Sequence, residues 1–374
     1  MKRILSVVFC FVILFTFVSC GPSPSAPAEQ VEDERITIGV AFFDFSMPLG
    51  VDIMRMIDYA AAALDVDVLY AENNFDPEQI ITDVENLFAA GANAVIFCNS
   101  AEGQVPRAVS IAENYDGKVF QFFRTLHDPE IRDAMFVAPG YGGQVFEDEF
   151  EVGYILGMAM AQSGVTNVGL INFNSGDPTA IQRQAGYEAA FAETGVNILA
   201  ETWDIFTGEE AAMVTENYIA AFPELDGIVL VGGSTEALRG IQSTLQRHDK
   251  TGDIALSTTD FYDEMYEDLE SGSLQFIAGG HWNSPFFAFM LAYNWASGAF
   301  TEDELPAVVA NNMMFINSID DARAFNEYFM GEVPPFNTEE IRQLSINHNP
   351  DFVLEDLIEA AANLSIEDVE RRRQ

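Results

Sequence analysis

The sequence is poor in basic residues, and in lysine above all. Of its 374 residues, 17 are Lys or Arg and 59 are Asp or Glu, so the formal net charge at pH 7 is −42. Lysine occurs only at positions 2, 118 and 250. A surface of this charge repels nucleic acids and anionic lipid headgroups. We therefore expect no nucleic-acid partner, and we interpret the acidity as a solvated coat suited to a salty environment.

Cysteine is also scarce, with three residues in the chain. Cys98 stands alone at the end of an apolar stretch, where we expect a small core residue. The sequence has no CxxC pair and no Cys/His spacing typical of a metal site, and its four histidines are far apart. No GxSxG motif supports a serine nucleophile. We therefore predict a protein that is not an enzyme, with no catalytic residue, no metal and no cofactor.

An apolar run near the N-terminus is too short to span a bilayer comfortably. It covers residues 4–18 and follows two basic residues, a pattern typical of a secretory signal. The small residue directly before Cys20 resembles the cleavage box of bacterial lipoproteins. That resemblance implies a signal peptide at residues 1–19, lipidation of Cys20, an extracytoplasmic location and membrane attachment by a lipid anchor alone. The alternative is an ordinary cleaved signal in which Cys20 is incidental.

Residues 20–35 are rich in Pro, Ser, Ala and acidic residues, which predicts a tether. Beyond it, strands and helices alternate. Apolar runs of strand length occur at residues 36–42, 66–70 and 94–98, and segments with helical spacing lie between them at 51–64 and 77–90. Such alternation predicts a parallel sheet covered by helices on both faces. Polar residues follow the strand ends, where open α/β sheets bind small ligands.

The second half of the chain repeats the first. DVDVLYAE at residues 65–72 and TGVNILAE at 194–201 occupy corresponding places, as do the apolar strands at 94–98 and 227–231. We also expect a helix over 145–162, after a crossing between lobes near residues 141–143. Internal repetition on this scale indicates two similar lobes, each an α/β doubly wound parallel sheet.

These features together resemble the type I periplasmic binding proteins, most closely the ribose- and galactose-binding group that serves sugar ABC importers. The resemblance covers residues 36–298. It rests on Arg124 after a strand and on the segments ITIGVAFFDFSMPLGV, FDPEQIITDVENLFAAGANAVIFCNSAEG, SGDPTAIQRQAGYEAAF and FPELDGIVLVGGSTEALRGI. It implies two lobes joined by a multi-segment hinge. The boundaries expected are 36–135 with 283–310 for the N-terminal lobe, and 136–282 with 311–374 for the C-terminal lobe.

The same resemblance implies a ligand site in the loops after the strands. Arg would donate to hydroxyl or ring oxygens, a carboxylate would accept from paired hydroxyls, and aromatic rings would cover apolar C–H faces. The candidates are Phe45, Ser46, Asn99, Arg124, Arg183, Trp203, Phe206, Gly233, Ser234, Asp260 and His281. Alternatives remain open: Asp260 as a helix cap, Arg183 as an exposed helix residue and Arg124 in a buried ion pair.

The resulting hypothesis is a monomeric, lipid-anchored receptor that delivers a sugar or sugar-like polyol to the permease of an ABC importer. Phe123 stands where the family commonly has Asp, and Gly233 where Asn is usual, so a modified or furanosyl sugar is also compatible. One alternative is a receptor of the same fold for chemotaxis or signalling. Another is a nucleoside-binding lipoprotein, which would stack a base between aromatic side chains. A transcription regulator would need an N-terminal helix-turn-helix, and the acidic charge argues against it.

Overall fold

The computed structural model of this protein describes residues 35–74, 76, 78–232, 234–262 and 264–374. The expectations for the signal peptide, the lipidation of Cys20 and the role of Gly233 lie outside these residues. Within them, twelve strands form two six-stranded sheets, and helices pack on both faces of each sheet. None of the described helices combines the length and apolarity that crossing a membrane requires. The predicted fold class, two doubly wound α/β lobes, is confirmed.

The N-terminal lobe is built on an all-parallel sheet. Its strands are β1 (Thr37–Phe42), β2 (Asp67–Glu72), β3 (Ala94–Phe97), β4 (Lys118–Phe122), β5 (Tyr141–Glu147) and β11 (Ala307–Asn311). Their order across the sheet is β2-β1-β3-β4-β5-β11. The helices of this lobe are α1 (Pro48–Leu64), α2 (Gln79–Ala89), α3 (Val105–Asn114), α4 (Pro129–Met135), α10 (Asn283–Ala296), α12 (Thr338–Gln343) and α13 (Leu354–Asn363).

The C-terminal lobe repeats this order. Its strands are β6 (Asn167–Ile171), β7 (Asn197–Thr202), β8 (Gly227–Leu230), β9 (Ala255–Thr259), β10 (Phe276–Gly279) and β12 (Met314–Ile316). They follow the order β7-β6-β8-β9-β10-β12, and β12 is antiparallel to β10. The helices are α5 (Glu149–Gln162), α6 (Pro178–Thr194), α7 (Gly208–Ala221), α8 (Thr235–Arg247), α9 (Met265–Ser271), α11 (Ile319–Tyr328) and α14 (Ile366–Arg373). The matching strand orders show the duplication indicated by the sequence.

The segment around β5 differs from the sequence prediction. Residues 141–147 form a strand of the first sheet, and α5 begins at Glu149 rather than at residue 145. The sequence predicted a crossing between the lobes near residues 141–143, but Gly142 and Gly143 lie within β5. Gly143 has φ +134°, and a Cβ atom there would lie 2.2 Å from the carbonyl oxygen of Ala307 on the neighbouring strand.

Lobe membership follows from this pairing. The boundary expected at residues 135 and 136 precedes β5, which the first sheet contains. The chain after residue 311 is divided between the lobes. In that segment α12 packs on α1 and α13 on β11, whereas α11 packs on α9 and β12, and α14 packs on α11. Three connections, β5 to α5, β10 to α10 and β11 to β12, join the two sheets in the described chain, and the C-terminal segment crosses between the lobes twice more, from α11 to α12 and from α13 to α14.

Candidate functional site

A cavity of about 380 Å³ lies between the lobes, at the carboxyl ends of their strands. This is the position at which open α/β sheets bind ligands. Both lobes contribute to its walls, as does His281 from the connection between β10 and α10. The lining residues are Phe42, Phe43, Met47, Leu49, Phe123, Arg124, Glu149, Phe173, Thr179, Arg183, Ile205, Phe206, Gly232, Ser234, Asp260 and His281.

The structure brings together six of the residues that the sequence singled out. Those that line the cavity are Arg124, Arg183, Phe206, Ser234, Asp260 and His281. Asn99 lies instead in an adjoining cavity described below. The side chains of Phe45, Ser46 and Trp203 line neither cavity.

Arg183 is held rigidly on α6 beneath the cavity. Its side chain is buried, with Nε 2.8 Å and Nη2 2.6 Å from Oε2 of Glu149. Its Nη1 donates to the carbonyl oxygen of Val231 and to Oγ1 of Thr259. Burial alone would lower the pKa of Arg183, but the Glu149 and Asp260 carboxylates outweigh it and raise this pKa. Arg183 is therefore a fixed positive charge at the base of the site.

His281 lies between two carboxylates. Its Nε2 is 3.0 Å from Oδ1 of Asp260, and its Nδ1 is 3.7 Å from Oε1 of Glu147. Burial would lower the pKa of the imidazole, but the two carboxylates outweigh burial and raise this pKa to about 10. His281 is therefore an imidazolium at neutral pH and orients the Asp260 carboxylate.

Asp260 presents its carboxylate to the cavity. The side chain is 49% exposed, and it caps no helix, because α9 begins at Met265 after Glu264. Burial of the carboxylate would raise its pKa, but His281, Arg183 and Arg124 outweigh that effect and lower this pKa. The result is an ionised acceptor surrounded by positive groups.

Two residues with left-handed backbone flank the cavity at equivalent positions. Phe123 directly follows β4 with φ +65°, and Asp260 directly follows β9 with φ +72°. The N–H of Phe123 donates to Oγ of Ser284, and the N–H of Asp260 to the carbonyl oxygen of Ala278. Positive φ is uncommon outside glycine and often marks functional sites. Here it turns both side chains toward the gap between the lobes.

Arg124 connects the lobes. It follows β4 of the N-terminal lobe, and its Nη1 donates to Oγ1 of Thr179 on α6 of the C-terminal lobe. Its Nη2 lies 3.6 Å from Oδ2 of Asp177, the residue that caps α6 by accepting from the N–H groups of Thr179 and Ala180. The Arg124 guanidinium is thus held across the gap that a ligand would enter.

Aromatic side chains line the cavity from both lobes. Phe43 and Phe123 come from the N-terminal lobe, and Phe173 and Phe206 from the C-terminal lobe. Phe206 is 56% exposed, so its ring lies at the rim.

Three of the sequence-predicted residues are engaged elsewhere. Phe45 packs against Phe42 and Tyr70, with ring centroids 5.8 and 5.0 Å away. Ser46 donates to the carboxylate of Asp44 through its N–H and its hydroxyl. Trp203 donates through Nε1 to the carboxylate of Glu201.

A second cavity of about 220 Å³ adjoins the first and shares Phe123, Arg124, Glu149 and Thr179 with it. Its further lining combines the apolar groups of Ala101, Phe146, Phe150 and Pro178 with a set of polar side chains. These include Asn99, Ser100, Glu102, Thr125, His127, Glu147, Asp148 and Gln182. Asn99 is only 2% exposed, and its Oδ1 accepts from Nε2 of Gln121 at 2.7 Å.

One trio among the described residues has the spacing of a metal site. Ligand atoms of Glu147, Glu149 and His281 lie within 4.8 Å of one another, and all three residues are buried. Arg183 already neutralises Glu149, and His281 carries a proton that Asp260 and Glu147 favour. The charges of the trio are therefore compensated by groups of the protein itself.

Sequence reasoning missed Glu149, Thr179, Phe43 and Phe173. The sequence does not single out Glu149, because its partner Arg183 is far from it in the chain. Thr179 was within reach, since it lies in the segment SGDPTAIQRQAGYEAAF that carried the resemblance.

A family model described as the periplasmic binding protein domain matches residues 38–299. Among solved structures, an ABC transporter solute-binding protein of Actinobacillus succinogenes 130z with bound D-allose is 21% identical. The match covers 77% of this chain and 99% of that one, with a TM-score of 0.67. A periplasmic ribose ABC transporter protein of Conexibacter woesei is 15% identical over 78% and 95% of the chains, with a TM-score of 0.65.

A Bacillus halodurans solute-binding protein with bound myo-inositol is 15% identical over 79% and 98% of the chains, with a TM-score of 0.65. The comparison with curated proteins returned no match. At these identities the solved structures show a shared fold. The molecules bound in them are ligands of those proteins.

Proposed function

This chain belongs to the periplasmic binding protein domain family, and from that premise we propose that it captures a sugar or sugar-like polyol between its lobes. The observation that carries the proposal is the meeting of Arg124, Arg183 and Asp260 in one cavity with phenyl rings from both lobes. The receptor would deliver its ligand to the permease of an ABC importer and leave it chemically unchanged. It would act as an extracytoplasmic monomer held at the membrane by lipidated Cys20.

The polar groups suit vicinal hydroxyls. The ionised Asp260 carboxylate can accept from two neighbouring hydroxyls, and the Arg124 fork can donate to hydroxyl or ring oxygens. The phenyl rings offer apolar faces to the C–H groups of a sugar ring. A buried site of this kind rejects analogues that lack a hydroxyl, because its own polar groups would be left unpaired.

Capture requires the lobes to close. A ligand that touches both lobes favours the closed form only by its higher affinity for that form. Phe43, Phe123 and Arg124 belong to one lobe, whereas Arg183, Phe206 and Asp260 belong to the other. The three connections between the two sheets would form the hinge.

A nucleoside is the second candidate, and the five phenylalanine rings around the cavity favour it, since a base can stack between aromatic side chains. A receptor that presents the same ligand to a chemoreceptor or sensor kinase would have the same cavity. Neighbouring genes for a permease and an ATPase would support import over signalling.

A thermal-shift screen of the purified protein against sugars, polyols and nucleosides tests the proposal. A ligand at a hundred times its Kd stabilises the folded state by about 2.7 kcal/mol and raises Tm accordingly. We expect the largest shift from a sugar or polyol. A shift with nucleosides alone would establish the second candidate, and no shift with any compound would contradict both.

A further inference from the structure

Two adjoining cavities of the gap between the lobes, which share four lining residues, form a pair of chambers. The apolar chamber is the cavity of about 380 Å³ that contains Phe43, Phe173, Phe206 and Asp260. The polar chamber is the cavity of about 220 Å³ that contains Asn99 and Gln182. Arg124 and Thr179 line both chambers, and the hydrogen bond between them lies at their border.

The two chambers offer different chemistry. In the apolar chamber, hydrocarbon and aromatic walls surround the Asp260 carboxylate and the charged groups of Arg124, Arg183 and His281. Amide and hydroxyl groups are concentrated in the polar chamber, on Asn99, Ser100, Thr125 and Gln182. Such groups both donate and accept, as the hydroxyls of a sugar do.

The polar chamber is built rather than incidental. Gln121 donates to Oδ1 of Asn99 and accepts from the hydroxyl of Tyr141, so buried hydrogen bonds fix the orientation of the Asn99 amide. Gln144 donates to Oγ1 of Thr125 in the same way. Hydrogen bonds between buried side chains hold such groups rigidly. It presents polar groups whose positions are set before a ligand arrives.

The size of the polar chamber also points to an organic ligand. A cavity of about 10–15 Å³ is enough to hold one water molecule. The polar chamber has about 220 Å³, which is space for a group of several heavy atoms. A ligand that fills the apolar chamber alone would leave this space to water.

We propose that the ligand has two rings and that it is a disaccharide, or a glycoside of that size. One ring would occupy the apolar chamber against Phe173 and Phe206, and the other would bind Asn99 and Gln182 in the polar chamber. The linking oxygen would pass Arg124, whose guanidinium can donate to it. This inference rests on the proposed function and specifies its substrate class.

Isothermal titration calorimetry on the full-length protein tests the inference. The probes are D-glucose, D-galactose, their methyl glycosides, and disaccharides of the same sugars in α and β linkage. We expect at least one disaccharide to bind about tenfold or more tightly than either of its component sugars. Gln182→Ala should weaken that disaccharide about five- to tenfold and change monosaccharide binding less than twofold, since one hydrogen bond is lost in the second chamber.

Two further variants complete the design. Asn99→Ser tests the buried side of the polar chamber, with thermal unfolding measured alongside to separate a binding effect from loss of the fold. Gln246→Ala removes an exposed glutamine from α8, outside both chambers, and should leave all affinities unchanged. Monosaccharides that bind as tightly as every disaccharide, with a neutral Gln182→Ala variant, would overturn the inference and leave the proposed function standing. No binding of any carbohydrate would overturn both.

Discussion

The two lobes place different residues at the same point of a duplicated fold. In the N-terminal lobe the residue after the fourth strand is Phe123, and in the C-terminal lobe it is Asp260. Both have left-handed backbone, and both face the gap between the lobes. The two lobes share the left-handed backbone conformation at this position, but one side chain is an apolar ring and the other a carboxylate.

This difference extends beyond one position. The buried Arg183–Glu149 pair and the Asp260–His281 pair lie against α5, α6 and β9 of the C-terminal lobe. Apart from Arg124, the N-terminal lobe contributes apolar side chains such as Phe43 to the main cavity. At the main cavity, therefore, the C-terminal lobe carries the preorganised charged groups and the N-terminal lobe presents an apolar surface opposite them, whereas the preorganised polar groups of the N-terminal lobe lie at the polar chamber.

The largest effect should come from breaking the charged core of the C-terminal lobe. Arg183→Met leaves the Glu149 carboxylate buried without its partner. Loss of one partner of a buried ion pair costs about 3–5 kcal/mol, so we expect the free energy of unfolding in urea to fall by that amount.

The double variant Arg183→Met, Glu149→Met is the control for this prediction. It removes both charges and should recover most of the lost stability, because apolar replacement of a buried pair is often neutral. A single variant within 1 kcal/mol of the wild type would contradict the account of the charged core.

A smaller effect, confined to binding, is expected at Asp260. Asp260→Asn keeps a residue that tolerates positive φ but removes the charged acceptor. We expect the free energy of ligand binding, measured by calorimetry, to become less favourable by about 1–3 kcal/mol. Asp253→Asn, an exposed site away from the cavity, is the control. Equal affinity of the Asp260 variant and the wild type would mean that the carboxylate does not contact the ligand.

The ion pairs of His281 predict a pH dependence of stability. The pKa of this imidazole is about 10 in the folded protein and about 6.5 when unfolded. A raised folded pKa gives stability that is fully present below about pH 6.5 and is lost as pH rises towards 10. The free energy of unfolding of the wild type, measured in urea, should therefore fall over this pH window by more than that of His281→Gln. Parallel pH profiles of the two proteins would refute the ion pairs.

The smallest effect is expected at the rim of the cavity. Phe206→Ala removes a ring that is 56% exposed, so stability should hardly change. Affinity should fall by about 0.5–1.5 kcal/mol if the ring packs on the ligand. Met213→Ala, at a residue that is 60% exposed on α7, serves as the control for general surface effects. An unchanged affinity would remove Phe206 from the site.

The fold could be predicted because apolar periodicity is a local property of the sequence, and because the internal repeat can be found by comparing its two halves. The strand β5 could not be predicted, since residues 141–143 resemble a crossing between the lobes until the neighbouring strand is in place. Gly143 approaches Ala307 of β11, a contact between segments far apart in the chain. Such a contact has no local signature.

The candidate site was predictable where a side chain lies within two residues of a strand end, as those of Arg124 and Asp260 do. It was not predictable where loop geometry decides. Phe43 and Phe45 are two residues apart after β1, yet Phe43 lines the cavity and Phe45 packs into the core. The bend after Phe42 determines which ring lines the cavity. Apolar periodicity does not predict that bend.

The central claim is that the lobes close on one ligand held by groups from both sides. Small-angle X-ray scattering of the full-length protein, with and without a saturating ligand from the thermal-shift screen, tests it most directly. The account predicts a smaller radius of gyration with the ligand, and a smaller difference for Asp260→Asn at the same ligand concentration. Scattering profiles that superimpose at full saturation would contradict closure.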